Sequence, residues 1–279
     1  MKQKNSRIKL KNIFILLLLS SLIIICSGST NYSDHLGNNS KQKLIRVGED
    51  ITYVVKYLAF EIGEIRLKVI SSITENNDTI YNAIAYINSY EGIPFVDLHQ
   101  IYETTFDQKQ NSRYFKGTII KEDTTFTIYR YDKNKKTIHV KKGRENSKEI
   151  WADSLAKADR EYQDGLSLFY YARMRTGTQK KAIVPVFINE KFEKTYINFY
   201  KETEDQDIDA VNYDIDCVYL DGETEFRGIF GLTGYFEGWF SNDQFAIPII
   251  AKMQVIIGSI TLELKNWNKK EWMPPRYKD

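Results

Sequence analysis

Few residues in this chain have the type and spacing to do chemistry. There are three histidines, His35, His99 and His139, and none has a second His or a Cys at metal-ligand spacing. His99 and His139 fall in separate strand-like runs, where each reads as a strand histidine with a local partner. Ser167 stands in Gly165-Leu166-Ser167-Leu168-Phe169, which lacks the second glycine of a nucleophile elbow. Its predicted place is the first turn of a helix, where a serine serves the backbone. Asp205, Asp207 and Asp209 put oxygen ligands at alternating positions, as a calcium loop begins. The sixth position is Ala210 and the twelfth Asp216, where such a loop wants glycine and glutamate. Glu223 and Glu225 flank Asp221-Gly222, read as a turn, and acid–base work would need one of them buried. At a hairpin mouth both are expected in solvent. No catalytic residue, metal site or cofactor is therefore assigned.

The strongest functional lead is apolar. Phe226, Phe230, Phe236 and Phe240 belong to an aromatic stripe that also holds Tyr235, Trp239 and Phe245. Alternation places Phe226 and Phe230 on one face of a strand, and Phe236 and Phe240 on one face of the next. A concave sheet lined in this way could hold an apolar, lipid-like ligand. The competing reading is a filled core, with a helix packed over the same rings.

These residues need elements to position them, and the composition favours strands. The chain has 279 residues with 19 Tyr and 15 Phe but only 5 Pro. Aromatic residues suit a pleated, half-buried surface. Alternation runs through Asp50 to Phe60 and resumes at Ile65, Leu67 and Val69, predicting a hairpin that turns at Glu61-Ile62-Gly63-Glu64. Further strands are predicted over 79–90, 95–106, 111–121, 124–132 and 137–142. After the middle of the chain they resume over 182–188, 195–202, 211–220, 224–230, 234–240, 245–255 and 258–267. Between the two sets, Leu166, Phe169, Tyr170 and Arg173 share a helical face, with Asp164 as N-cap and Gly177 as stop. This predicts a helix over 165–175. The charged stretch 141–151 reads as loop, and 151–158 as a second short helix. The fold class is mainly β: an antiparallel curved sheet, incomplete barrel or sandwich with one or two short helices.

The N-terminus reads as a targeting segment. Lys2, Lys4, Arg7, Lys9 and Lys11 precede an apolar run from Ile13 to Ile25, broken only by Ser20 and Ser21. The run has the length of a secretory h-region and is short for a bilayer span. Ser27-Gly28-Ser29 offers a cleavage site. Cys26 lies where a lipoprotein cysteine would, although Ile25 before it is not small, so lipidation at Cys26 and plain cleavage after Ser29 both stay open. Removing residues 1–29 changes the formal charge from +2 to −3, with 34 basic residues against 37 acidic. Such a chain has no electrostatic footprint for nucleic acid. Cys217 would then be the one remaining cysteine, so no internal disulfide could form. The expected organisation is a signal peptide over 1–29, a polar linker over 30–46, one β domain over 47–267 and a polar C-terminal tail over 268–279 crossing the surface.

Several landmarks together resemble the bacterial domain of unknown function 3108 family. They are Gly48-Glu49-Asp50-Ile51-Thr52-Tyr53, Gly63-Glu64, Asp164 through Arg173, Val184-Pro185-Val186, Trp239-Phe240-Ser241-Asn242-Asp243 with Ile247-Pro248, and Ile257 through Leu264. The resemblance spans about residues 46–267. Asn242 stands where the family more often has an acid, which argues against paired carboxylates acting there. The resemblance implies an exported protein, periplasmic or associated with the outer membrane or cell envelope, sometimes lipid-anchored, with a curved, incompletely closed antiparallel sheet and a helix nearby. That shape is similar to the half-barrel of the lipoprotein localisation factors, a likeness of fold alone.

The combined expectation is a non-enzymatic cell-envelope β protein that binds an apolar ligand or envelope component, or serves as a scaffold. Its contact with a membrane would run through a lipid on Cys26. The alternatives are an envelope hydrolase and a calcium-dependent surface module.

Overall fold

The computed structural model describes residues 44–94, 96–228, 233–255, 258–268 and 272–278. The alternating pattern at the start of the domain forms β1 (Asp50–Tyr57), with Ile51, Tyr53 and Val55 buried on one face. An antiparallel meander follows: β2 (Phe60–Glu75), β3 (Asp78–Ser89), β4 (His99–Phe106), β5 (Ser112–Ile119), β6 (Thr125–Asp132), β7 (Thr137–Arg144) and β8 (Ile150–Lys157). Each strand pairs with the one before it.

The chain then leaves the sheet, forms the helix α1 (Gly165–Arg173), and re-enters at the opposite edge. From there it walks back through β9 (Lys181–Ile188), β10 (Lys191–Gln206), β11 (Ile215–Thr224), β12 (Gly234–Ser241), β13 (Pro248–Gln254) and β14 (Ser259–Trp267). Strand β14 lies against β1, pairing Leu264 with Tyr53 and Leu262 with Val55. One antiparallel sheet of 14 strands results, with the first and last strands side by side at its centre and β8 and β9 at its edges.

The sheet curls without closing. The Phe187 ring at the end of β9 packs on Tyr129 of β6 at 5.0 Å between centroids, and Glu190 accepts a hydrogen bond from the Tyr129 hydroxyl at 2.8 Å. These are side-chain contacts between β9 and the inner face of the opposite flank. Among the described residues, strand β8 has no ladder partner on its far side, and β9 is bridged beyond β10 only at Val186, by Gln163. Aromatic packing thus brings the flanks together where backbone hydrogen bonds would have made a barrel.

Several local expectations change. The stretch 151–158, expected as a helix, lies almost wholly in strand β8 (Ile150–Lys157), because the exposed edge of β7 offers unpaired backbone groups and pairing overrides the helix-forming Ala and Lys content. The first hairpin turns at Leu58-Ala59, with Leu58 at φ 54°, and not at residues 61–64. Gly63 sits inside β2 at a register shift, opposite Val55. A Cβ there would lie 2.4 Å from the Asn88 carbonyl oxygen, so this glycine permits close backbone approach and is not a turn residue. Gly222 plays the same part inside β11, where a Cβ would lie 2.3 Å from the Tyr196 oxygen. The expected Asp221-Gly222 turn is therefore continuous strand. The stretch after Thr224 bends instead of forming a strand over 224–230. The C-terminal tail is docked: Trp272 is buried and Arg276 bridges to Ile215.

Replacing Gly63 with alanine should cost about 2–3 kcal/mol, as overpacking against fixed backbone does. Gly92 has open space around it but a positive φ of 77°, so Gly92→Ala should cost about 1 kcal/mol. Urea unfolding of the two variants checks the order; equal losses would contradict the close-approach account of Gly63.

Candidate functional site

The concave face of β1, β2 and β10–β14 is apolar, and α1 lies over it. What holds the helix there is polar. Asp164 caps its N-terminus: Oδ1 accepts the Leu166 and Ser167 amides at 2.8 Å each, and the Asp164 amide donates to the Ser167 hydroxyl at 2.9 Å. The same carboxylate ties the helix to the sheet. Its Oδ2 accepts from Thr104 of β4 and from Ser112 of β5, both at 2.7 Å. Burial pushes the Asp164 carboxyl above its ordinary range, and the Thr104, Ser167 and Ser112 hydrogen bonds oppose that rise. Ser167 is thus a capping residue with no solvent access.

At the other end Arg173 is 1% exposed. Its Nη1 and Nη2 form a fork on the two Glu49 oxygens at 2.5 and 2.8 Å, and Nε donates to the Phe245 carbonyl at 2.9 Å. Glu49 precedes β1, and Phe245 belongs to the turn between β12 and β13. That turn is built around Asp243. Its Oδ1 accepts the Phe245 and Ala246 amides at 2.7 and 2.9 Å, and its Oδ2 accepts the Trp272 indole N–H at 2.7 Å. The Ser241-Asn242-Asp243 segment is therefore a brace for the helix and the tail.

Between these two ends the helix does not fill the space beneath it. Leu168, Phe169 and Ala172 form one wall of an apolar cavity of about 140 Å3, partly open to solvent. Tyr53, Leu67 and Leu262 form its floor, and Phe236 and Phe240 of β12 its side. Two glycines make room for the rings: a Cβ on Gly222 would lie 2.4 Å from the Phe236 ring, and one on Gly238 would lie 2.8 Å from the Phe240 ring. Phe226 also lines the cavity, from a bend and not from a strand. Phe230 and Cys26 lie outside the described residues.

The remaining candidates are dispersed. The His139 Nε2 faces Asp153 across β7 and β8, and the His99 Nδ1 faces Asn88 at 3.1 Å. Asp209 accepts from Lys56 at 2.9 Å, and Asp216 from the Asn242 amide at 2.8 Å. Glu223 and Glu225 are exposed. Among the described residues no three His, Cys, Asp or Glu side chains are placed to hold a metal ion. The Cys217 thiol is fully buried, and burial, with Asp216 and Glu204 nearby, pushes its pKa far up.

Neither Glu49 nor Tyr53 stands out as a site residue from the sequence. A signal existed: Arg173 on the apolar face of α1 announces a buried charge that needs a partner. Which acid would meet it, 124 positions away, was not legible.

A family model described as "Protein of unknown function (DUF3108)" matches residues 52–265. No curated protein matches. Among solved structures the chain is similar to the crystal structure of a beta-barrel-like protein of domain of unknown function DUF1849 from Brucella abortus. That match is 8% identical, with a TM-score of 0.48, and covers 82% of this chain and 100% of the other.

Two outcomes test the site's framework. Arg173→Met removes the two guanidinium hydrogen bonds that buried Glu49 accepts and should cost about 3–5 kcal/mol in urea unfolding, whereas combining it with Glu49→Leu should recover part of the loss. In a chain beginning at residue 30, whose single thiol is Cys217, Ellman's reagent at pH 8 should label the folded protein no faster than it unfolds.

Proposed function

Because the chain belongs to the DUF3108 family, whose description assigns no chemistry, we propose a function from the site alone: this is a non-enzymatic protein that holds an apolar, lipid-like ligand under α1. The observation that carries the reading is the cavity itself. It is walled by Phe226, Phe236, Phe240 and the apolar face of the helix, and it persists although the helix is bound to the sheet at both ends. Close-packed interiors do not usually leave such space. An engineered cavity of about 150 Å3 with similar lining stays dry and accepts benzene. A space of 140 Å3 is smaller than most ligand pockets, so it suits one end of a hydrocarbon chain, with the remainder leaving through the open side.

Export to the cell envelope, through the segment 1–29 and with or without a lipid on Cys26, belongs to the same proposal. It would place the protein where acyl chains are abundant. The hydrolase alternative draws less support: Glu237, the acid that lines the cavity, accepts a hydrogen bond from the Tyr219 hydroxyl at 2.8 Å, and at the two ends of the helix Asp164 serves the cap and Glu49 binds Arg173. A scaffold role is the competing outcome of the test.

Native mass spectrometry of the protein purified from its own host should show a bound apolar molecule. Ala172→Phe, which puts a ring into the cavity from the helix side, should lower the bound fraction about tenfold or more. Filling an existing void should leave the melting temperature within a few degrees. Wild-type protein free of any adduct, and indistinguishable from the variant, would eliminate the ligand reading in favour of the scaffold.

A further inference from the structure

Among the described residues the two most exposed large apolar side chains stand together at the β1–β2 turn: Leu58 is 80% exposed and Phe60 71%. Leu58 also holds a left-handed backbone, φ 54°, which costs any residue with a Cβ and suits glycine or asparagine best. The next hairpin, β2–β3, makes its turn with Asn76 and Asn77, both at positive φ. The other non-glycine residues at positive φ are polar, apart from the buried Ala246. A leucine at this tip is disfavoured by the backbone and by water alike, which fits a contact outside the fold.

Strand register connects the tip to the cavity. Phe60 pairs with Tyr57, Tyr57 with Ile260, Ile260 with Met253 and Met253 with Phe236. Directly opposed residues share a face, so one uncharged row crosses five strands and ends on Met253 and Phe236, both part of the cavity wall. The cavity reaches this same rim of the sheet: Phe226 and Gly228, which follow the end of β11, line it too. The charges beside the tip, Lys56 and Glu61, pair with each other on the opposite face. The Lys56 ammonium is also bound to Glu263 at 2.7 Å and to Asp209 at 2.9 Å.

The occupant that fits both observations is hydrocarbon. A protein partner could cover the tip but has no use for an uncharged row leading inward. An acyl chain passing from a bilayer to the cavity along that row would meet no charge to desolvate. Tyr57, half-buried behind the tip, has the amphipathic ring that suits the boundary between headgroups and hydrocarbon.

We propose that the β1–β2 tip is a lipid-docking surface: Leu58 and Phe60 insert into a bilayer and set the row from Phe60 to Phe236 against it. The passage of a chain into the cavity rests on the ligand-binding reading above; the contact with lipid does not.

The test is flotation with phosphatidylcholine vesicles. A chain beginning at residue 30 keeps every described residue and lacks the apolar run 13–25, which would bind lipid by itself. Wild type should float equally at about 0.1 M and about 1 M NaCl, because apolar insertion is not screened. Leu58→Asn combined with Phe60→Thr suits the turn and the strand, so its melting temperature should equal or exceed that of wild type. Its partitioning should fall about tenfold or more. Ala172→Phe, which fills the cavity, should float as wild type does. Equal flotation of the double variant would overturn the docking surface, as would loss of flotation in Ala172→Phe. Binding confined to vesicles containing phosphatidylglycerol and lost at high salt would replace it with an electrostatic contact. Wild type that does not float yet carries an apolar molecule in native mass spectrometry would sink the docking surface alone. Wild type that floats but carries no such molecule would sink the cavity reading and leave the surface standing.

Discussion

A guanidinium held against a carboxylate in the interior is the contact on which this molecule turns. Arg173 ends the helix and Glu49 opens the first strand, so their pairing joins the middle of the chain to its beginning. Desolvating two charges is expensive, and the attraction between them offsets that cost only with good geometry and full hydrogen bonding. Here the fork is complete, and the remaining Nε finds the Phe245 carbonyl. The pair tolerates few arrangements, so it sets where the helix ends, where β1 starts and how the turn at 241–247 must run.

The other end of the helix is governed by the same logic with a single acid. Asp164 satisfies the orphan amides of the first turn, as a cap does, and also reaches into β4 and β5. A helix held at its ends by directional polar contacts need not sink into the sheet to the depth that apolar packing alone would choose. The space left under Leu168, Phe169 and Ala172 follows from that restraint. The cavity is thus a consequence of how the helix is attached, and the apolar character of its wall a consequence of strand alternation.

The glycines of the sheet have a related role. Gly222 and Gly238 lie beneath the Phe236 and Phe240 rings, and Gly63, at a register shift with β1, lets β2 approach the β3 backbone closely. Removing side chains from one face at chosen points lets a long sheet curl and lets large rings lie flat against it. Curvature and aromatic lining are therefore produced together. The flanks meet through Phe187 and Tyr129 and not through a hydrogen-bond ladder, which leaves the sheet open between β8 and β9.

The sequence by itself determined the fold class, nearly all of the strands, the helix with its Asp164 cap, and the family. These depend on periodicity, capping chemistry and local landmarks, which act over a few residues. The proposal of export rests on residues 1–29 alone. What only the tertiary structure decided was everything set by contacts distant in sequence. Ile150 to Lys157 became a strand because β7 had an edge to pair, and glycines read as turns proved to be points of close backbone approach. The partnership of Arg173 with Glu49 and the unsatisfied hydroxyl of Tyr53 emerged only once β1, α1 and the β12–β13 turn were brought together. A buried charge can be recognised from its place on an apolar helical face, but its partner cannot, because any of 37 acids would satisfy the sequence and only one satisfies the geometry.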